Sequence, residues 1–157
     1  MEDEAISEIA VETPVGRIGL VERDGVIVEV DWRNGTDRGA RTELLEEARR
    51  QTEAYFAGRL ERFDLPLKPR GSDFQLAVYR AMQAIPFGRT RTYGEIAADL
   101  GVAAQPVGQA CGSNPIPIII PCHRVLAANG LGGFSSPGGV ETKIVLLKHE
   151  GGFPYLL

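Results

Sequence analysis

A cysteine and a histidine are adjacent at Cys122 and His123, directly after an apolar run that begins and ends with proline. The thiolate is the nucleophilic form of cysteine, and a thiol with the usual pKa of about 8.5 needs a nearby base to ionise at neutral pH. Imidazole is such a base, but adjacent side chains diverge on strands and helices, so a bridging water is the natural link between ring and sulfur. The pair therefore indicates a reactive thiol. The alternative is a buried cysteine that only fills space.

The segment before the cysteine, residues 114–121, contains three prolines. Proline lacks a backbone donor and restricts the residue before it, so a long helix is excluded here. The sequence predicts a short, buried, extended segment that delivers Cys122 to one fixed place.

A carboxylate that would complete a thiol–imidazole–carboxylate relay lies near the C-terminus, at Glu150. Apolar residues recur at helical spacing before it, and Gly151 is a stop signal. A carboxylate in the last turn opposes the helix dipole, which favours a cation there by about 0.3–1 kcal/mol. Breaking a local rule often marks a site, so Glu150 is predicted to orient His123, and the alternative is an exposed glutamate beside Lys148. The apolar residues at helical spacing are Val140, Ile144 and Leu147.

Five glycines occur among residues 130–139, between the cysteine segment and this final helix. Glycine lets the backbone approach a ligand closely. Both flanks of the segment are predicted to be ordered, which favours a binding loop over a flexible linker.

Two different patterns occupy the first half of the chain. Residues 5–32 are rich in β-branched residues with turn signals between them, which predicts a three-stranded antiparallel meander. Residues 40–58 change to a helical period, and residues 63–67 predict one more short strand. Proline, glycine and polar residues cluster at 68–72, the predicted linker.

The second half is predicted to be mainly helical. Its first helix begins at residue 72 or 73, and its second spans 93–100, with Thr92 and Glu95 as a capping box. A third runs from about residue 103 to 112. Two short helices joined by a glycine turn have the outline of a helix-turn-helix, although many helical hairpins share it.

The charge of the chain is unevenly distributed around its net value of −4. Residues 1–68 carry 10 basic and 16 acidic side chains, a net charge of −6, and residues 69–157 carry 7 basic and 5 acidic, a net charge of +2. A small positive surplus permits contact with nucleic acid without establishing it.

No apolar stretch approaches the roughly 20 residues that a membrane span needs. The acidic start lacks the positive flank of a signal peptide, and two cysteines make no disulfide framework. The sequence therefore predicts a cytoplasmic protein with no membrane partner.

Together these motifs resemble one family, the methylated-DNA–protein-cysteine methyltransferases, also called O6-alkylguanine-DNA alkyltransferases. The resemblance covers nearly all of residues 72–151, and its most specific part is the Pro-Cys-His-Arg-Val core with an upstream Asn-Pro and a downstream His-Glu-Gly. The matching segments are Ile85-Pro86-Phe87-Gly88, Thr92-Tyr93-Gly94-Glu95-Ile96-Ala97, Asn114-Pro115, Pro121-Cys122-His123-Arg124-Val125, Gly133-Phe134, Gly138-Gly139 and Leu146-Leu147-Lys148-His149-Glu150-Gly151.

The resemblance implies an α/β (α+β) fold with two domains. Residues 1–68 would form a small ribonuclease-H-like α/β domain. Residues 72–157 would form a mostly helical, winged-helix-like DNA-binding and catalytic domain with a helix-turn-helix. It also implies binding through the minor groove of DNA and rotation of the alkylated base out of the stack.

The resemblance further implies a role for each of five residues. Cys122 corresponds to the alkyl acceptor, His123 to the water-mediated base and Glu150 to the carboxylate that orients it. Asn114 corresponds to the asparagine that supports the active-site turn. Tyr93 corresponds to the tyrosine that assists base rotation and protonation of the departing guanine.

A second set of residues is implied to contact the substrate or DNA. Family members commonly place an arginine where this chain has Gln105, and glutamine lacks its charge. The first half has no Cys or His, so it cannot build the zinc site of some relatives, and neither a metal nor a cofactor is expected. The implied contact residues are Thr92, Gln105, Gly108, Ser113, Arg124, Gly133, Phe134, Ser135 and Ser136.

The function implied is DNA repair by a single-turnover transferase. The alkyl group of O6-alkylguanine, and by extension O4-alkylthymine, would pass irreversibly from double-stranded DNA to Cys122 of a monomeric protein. Three alternatives remain: a non-reactive protein that binds alkylated DNA, a winged-helix regulator with a redox cysteine, and a thiol hydrolase. The lesion-binding relatives replace the acceptor cysteine, and a hydrolase needs an oxyanion hole that the sequence does not show.

Overall fold

The computed structural model describes residues 6–152, and the chain folds as two compact units, Met1–Pro69 and Arg70–Leu157. The first unit contains three antiparallel strands in the order β1-β2-β3, which confirms the predicted meander. Its predicted first residue, Ala5, lies outside the described residues. The strands are β1 (Ile6–Thr13), β2 (Gly16–Arg23) and β3 (Val26–Asp31).

One helix, α1 (Glu43–Phe56), packs against β1 and β2 of this sheet. The Thr42 hydroxyl accepts a hydrogen bond from the Leu45 amide and begins the helix. Leu45 and Tyr55 are fully buried, so the apolar face of the helix covers the sheet and forms the core of this unit.

The strand predicted at residues 63–67 is wrong. Only an isolated parallel bridge between Ile27 and Leu67 forms there, with the Ile27 amide bonded to the Pro66 carbonyl at 2.8 Å. Proline at 66 has no amide to donate, so the pairing does not extend into a strand.

The second unit is mainly helical, as predicted, and contains one short parallel strand pair. In the part of the chain that the structure describes, no helix is long and apolar enough to cross a membrane. The elements are α2 (Asp73–Gln83), β4 (Arg91–Thr92), α3 (Tyr93–Leu100), α4 (Ala104–Gly112), β5 (Val125–Leu126) and α5 (Val140–Glu150).

The helix-turn-helix prediction corresponds to α3 and α4, which pack on each other. Thr92 and Glu95 form the predicted capping box at the start of α3. Gly101 ends the helix at φ 70°, in the left-handed region that favours glycine, and so provides the tight turn. Ser72, one of the two predicted caps, begins α2 in the same way, with Gln75 as its box partner.

The segment predicted to be extended before Cys122 is instead a series of tight turns followed by a 3-10 helix, Cys122–Arg124. Ile118 has φ 72°, a conformation that costs a β-branched residue about 1–3 kcal/mol. Its side chain is only 2% exposed, so burial of the isoleucine helps to hold the strained turn. The prolines exclude a long helix, as expected, but do not select strand over turn.

The buried face of α5 differs from the predicted one. Val140 is exposed and Ile144 is half-buried, and of the three predicted residues only Leu147 is buried. Apolar periodicity predicts the wrong face because two ionisable side chains with buried partners, Lys143 and Glu150, lie on the face that is buried. The buried residues of α5 are Thr142, Lys143, Leu146, Leu147 and Glu150.

Candidate active site

The turn before Cys122 is fixed by the side chain of Asn114. Its Nδ2 donates to the Ile120 carbonyl at 2.8 Å, and its Oδ1 accepts from the Ile116 amide at 2.9 Å. One amide thus closes both ends of the turn, an arrangement that a side chain with a single function could not make. The sulfur of Cys122 follows directly, in a residue that is 7% exposed.

The two residues after the cysteine, His123 and Arg124, form a buried ion-pair network with Glu150. His123 Nε2 is 2.8 Å from Glu150 Oε2, and both side chains are buried. Arg124 donates to the same carboxylate through Nε at 2.8 Å and Nη2 at 3.0 Å, and through Nη1 to the Ile85 carbonyl at 2.6 Å. The structure therefore brings together the predicted imidazole and carboxylate, and Arg124 explains why a glutamate is tolerated in the last turn of a helix.

The hydrogen bond to Glu150 indicates the tautomer of His123. A carboxylate only accepts, so Nε2 carries the proton and Nδ1 carries a lone pair. That Nδ1 atom is buried and has no hydrogen-bond partner in the described part of the protein. A basic nitrogen is thus available in the residue next to the thiol.

Both members of the Cys–His pair are held in their neutral forms. Burial raises the pKa of the Cys122 thiol, and the Asn114 amide and the Lys143 ammonium oppose this increase. Burial also lowers the pKa of His123, against the opposing effect of Glu150. The neutral thiol is therefore the favoured form of Cys122 at neutral pH.

A buried lysine that the sequence interpretation missed lies beside the cysteine. Lys143 is fully buried on α5, and its Nζ donates to the carbonyls of Val125 at 2.7 Å and Leu131 at 2.6 Å. Burial lowers its pKa to about 8. The signal in the sequence is its spacing, because Lys143 lies seven residues before Glu150 and hence on the same face of the helix.

Tyr93 is the first residue of α3, and its ring lies 5.8 Å from the Lys143 ammonium. Burial raises the pKa of its hydroxyl to about 12, so the phenol stays protonated at neutral pH. The glycine-rich loop approaches it closely: a Cβ at Gly132 would lie 3.2 Å from the tyrosine oxygen. Glycine at 132, with φ 77°, is therefore required by both space and backbone conformation.

The rest of the glycine-rich loop is only partly exposed. Gly133 and Ser135 are exposed, whereas Phe134 is half-buried with its ring 5.7 Å from Lys143 Nζ. Ser136 is buried, and its hydroxyl donates to backbone carbonyls of the loop itself. That hydroxyl is engaged in shaping the loop.

The predicted DNA-contact residues on the helices differ in placement. Gln105 and Ser113 are exposed at the two ends of α4, and Gly108 between them is half-buried with nothing within 4 Å of a Cβ. Thr92 is half-buried and caps α3. Arg124 is 7% exposed with its guanidinium bonded inside the protein, so the structure places it in the relay and away from a DNA-binding surface.

The remaining cysteine has a different environment. Cys111 on α4 donates its S–H to Met82 Sδ at 3.6 Å, and burial raises its pKa to about 12. Both cysteines are free thiols. Among residues 6–152 no group of three or more His, Cys, Asp or Glu side chains could hold a metal ion.

These features define a class: a protein with a helix-turn-helix and a buried thiol that is followed in the sequence by the histidine of a buried imidazole–carboxylate pair. Known proteins show which member of that class it resembles. Residues 73–152 match the family described as 6-O-methylguanine DNA methyltransferase, DNA binding domain, and residues 6–69 match the ribonuclease-like domain of 6-O-methylguanine DNA methyltransferase. The chain belongs to the 6-O-methylguanine DNA methyltransferase family.

Individual relatives agree with this assignment. The chain is 45% identical over 150 residues to a methylated-DNA–protein-cysteine methyltransferase of Methanosarcina acetivorans, covering 89% of this chain and 95% of that one. It is 45% identical over 149 residues to the protein of that name from Mycolicibacterium paratuberculosis, covering 89% of each. Its activity is accordingly DNA repair by alkyl transfer.

Solved structures give the same result for the fold. The crystal structure of Mycobacterium tuberculosis O6-methylguanine methyltransferase matches with a TM-score of 0.83 and 38% identity, covering 93% of both chains. The crystal structure of Mycobacterium tuberculosis OGT in complex with DNA matches with a TM-score of 0.78 and 40% identity, covering 90% of this chain and 91% of that one. The expected α/β fold, with a small sheet domain and a helical domain, is confirmed.

Proposed function

We propose that Cys122 is the alkyl acceptor, and that each molecule transfers one alkyl group from O6-alkylguanine in double-stranded DNA to its own sulfur. The observation that carries the proposal is the lone pair on buried His123 Nδ1, in the residue after the cysteine and across the ring from the Nε2–Glu150 bond. A base oriented in this way is what a thiol with a raised pKa needs.

The reaction is a displacement at saturated carbon. His123 Nδ1 takes the thiol proton, directly or through water, and the sulfur then attacks the alkyl carbon. The S–C bond forms as the C–O6 bond breaks, and its electron pair passes to guanine. The Tyr93 hydroxyl, with its pKa of about 12, supplies the proton that neutralises the departing base. The imidazolium later returns a proton to Tyr93 through solvent.

The ion pairs keep the total charge of the relay constant. Before proton transfer the thiol and imidazole are neutral, and the charges of Glu150 and Arg124 cancel across bonds of 2.8 and 3.0 Å. Afterwards the thiolate and imidazolium cancel as well. A low-dielectric site thus never holds an unpaired charge on these four groups, which limits the desolvation cost of ionisation.

DNA binding is proposed to use α3 and α4, with Gln105, Gly108 and Ser113 on the exposed surface of α4. The crystal structure of the Mycobacterium tuberculosis relative in complex with DNA supports DNA binding as such, and the helix-turn-helix outline of α3 and α4 supports their assignment to it. Residues 1–68 and 72–157 are accordingly proposed as a ribonuclease-like domain and a DNA-binding catalytic domain. Minor-groove binding, base rotation, a monomeric state and a cytoplasmic location remain predictions of the same proposal.

The test is mass analysis after incubation with excess duplex DNA that contains one O6-methylguanine. We expect the Cys122 peptide to gain the mass of one methylene, and demethylated DNA to reach a plateau equimolar with protein. Cys122→Ser should bind the duplex but gain no mass, because a hydroxyl is a far weaker nucleophile than a thiol.

Cys111→Ala is the matched control, since this second buried thiol donates to Met82 Sδ and should be dispensable for transfer. Binding without modification of the wild-type Cys122 peptide would contradict the proposal and favour a lesion-binding protein. Methyl groups on Cys111 would show that the acceptor is assigned wrongly.

A further inference from the structure

The side chain of Lys143 connects three parts of the active site. Its Nζ donates to Val125 in β5, directly after the 3-10 helix of the cysteine, and to Leu131 in the glycine-rich loop. A third, longer bond of 3.4 Å reaches the Gly133 carbonyl. An ammonium has three donors, and all three are used.

Two aromatic rings complete the surroundings of this ammonium. Nζ lies 5.8 Å from the centroid of Tyr93 and 5.7 Å from that of Phe134, within the range of cation–π attraction. One side chain therefore lies within cation–π range of both the predicted proton donor Tyr93 and the predicted binding loop.

Burying an ammonium costs free energy, because loss of hydration favours the neutral amine. An apolar side chain of similar length would fill the same space without that cost, and such replacements of buried charges are often neutral or stabilising. Packing alone thus does not explain Lys143. The groups around the ammonium indicate what role its charge has.

The titratable groups that interact with the Lys143 ammonium come from three elements. On the 3-10 helix these are Cys122 and His123, on α4 Cys111, and on α3 Tyr93. The ammonium lowers the pKa values of Cys122 and His123, and sulfur charge raises the pKa of Lys143 in turn. The attraction is absent when the thiol is neutral and present when it ionises.

We propose that Lys143 is a positioning residue for alkyl transfer: its ammonium ties β5, the glycine-rich loop and the Tyr93 ring together, and its charge stabilises the developing thiolate. The inference rests on the proposed role of Cys122. Stabilisation that appears only as charge develops lowers the barrier without tightening binding of DNA.

The proposal makes the rate depend on pH in a window set by Lys143. The ammonium is present below about pH 8 and is lost above it. Tyr93 and Cys111 titrate near 12, and the pKa of His123 is lowered, so none of them accounts for a falling limb near pH 8.

Unfolding does not account for it either. Lys143 has a folded pKa of about 8, below the usual lysine value of 10.5. Between these values the unfolded chain binds more protons, so this group makes the protein more stable as pH rises. If the transfer rate falls in the pH range where Lys143 adds stability, the fall must originate in the active site and not in global unfolding.

The experiment measures single-turnover rates on a duplex containing O6-methylguanine from pH 6.5 to 10, with DNA affinity measured in parallel. Lys143→Met should slow transfer by at least about 10-fold at pH 7 and leave affinity unchanged. Lys143→Arg keeps a charge that does not titrate, so any activity it retains should lack the falling limb. Lys68→Met, the same change at an exposed lysine of the first unit, is the matched control and should behave as wild type.

A second measurement needs no variant. Hydrogen exchange of wild-type residues 130–139, corrected for the intrinsic effect of pH, should speed up between pH 7 and 9.5, while the α2 peptide 73–83 stays unchanged. Equal loop protection at both pH values with no falling limb in the wild-type rate would overturn the proposal, as would Lys143→Met within twofold of wild type. Methylation of the wild-type Cys122 peptide is scored separately, so failure of the acceptor assignment is distinguishable.

Discussion

Glu150 binds two partners through a single carboxylate, His123 on one oxygen and Arg124 on both. Removing its charge would leave the Arg124 guanidinium buried without a counter-ion. We expect Glu150→Gln to destabilise the protein by about 3 kcal/mol, the usual cost of breaking a buried ion pair. Transfer should slow as well, because imidazolium formation loses its partner.

Denaturant unfolding and single-turnover kinetics would measure the two effects. Glu141→Gln, at an exposed glutamate of the same helix, is the control and should change neither. An unfolding free energy within about 0.5 kcal/mol of wild type, the scatter of surface substitutions, would show that the ion pair adds nothing.

Gln105 is exposed near the start of α4, at the position where the family resemblance led us to expect an arginine. Under the proposed base-rotation step, Gln105→Arg should raise the transfer rate on duplex DNA by about 3- to 10-fold. The free energy behind such a gain is a fraction of the few kcal/mol that base extrusion costs. The rate on single-stranded DNA should not change. Gln109→Arg, one turn further along the exposed side, adds the same charge and tests whether charge alone explains a gain.

Residue types and spacing predict the contact between His123 and Glu150 that the structure contains, but not the partners of Arg124 and Lys143. Arginine after a Cys-His pair in a DNA-repair family suggests a DNA contact, yet its direction depends on a glutamate 26 residues away. Lys143 belongs to no motif of its own. Side-chain direction is a tertiary property, so a local pattern cannot supply it.

At the scale of elements, α4 carries a glycine in mid-helix that nothing inside the protein requires. A Cβ at Gly108 would meet no atom within 4 Å. Gly108→Ala should therefore stabilise the fold by about 0.5–1 kcal/mol through helix propensity. If the α4 backbone approaches DNA there, the same methyl group should weaken DNA affinity.

Thermal unfolding and DNA titration would separate these opposite effects. Gly94→Ala on α3, where the nearest atom to a Cβ is 3.9 Å away, offers a matched helical glycine. Higher stability with unchanged affinity for Gly108→Ala would remove this glycine from the DNA interface.

Elements with strong local signals are predictable, and those set by distant contacts are not. The capping box of Thr92 and Glu95 defines the start of α3 from four residues alone. The prediction for residues 114–121 is wrong because two bonds from Asn114 and the buried Ile118 select turns over an extended chain. Proline patterns exclude helix and leave that choice to the rest of the protein.

For the whole molecule, the number of exposed cationic side chains limits how steeply DNA affinity can fall with salt concentration. In the second unit Arg124 and Lys143 are buried, and Arg91 is half-buried in an ion pair with Asp99 at 2.8 Å. The exposed cationic side chains of that unit are Arg70, Arg80, Arg89 and Lys148.

Each phosphate contact contributes about −0.9 to the slope of log affinity against log salt, so four cations predict a slope no steeper than about −4. Filter binding or anisotropy between low and physiological salt would measure it. A clearly steeper slope would mean that arginines of the acidic first unit also contact phosphates.

The enclosed, protonated state of Cys122 has a further consequence for a protein that can act only once. Peroxides and soluble electrophiles attack thiolates, and a buried cysteine with a raised pKa offers them little charge or access. The environment of Cys122 therefore protects the thiol from reagents other than its substrate. We expect Cys122 to stay unmodified in the presence of cellular oxidants and electrophiles, and to react only when alkylated DNA is bound and His123 takes the thiol proton.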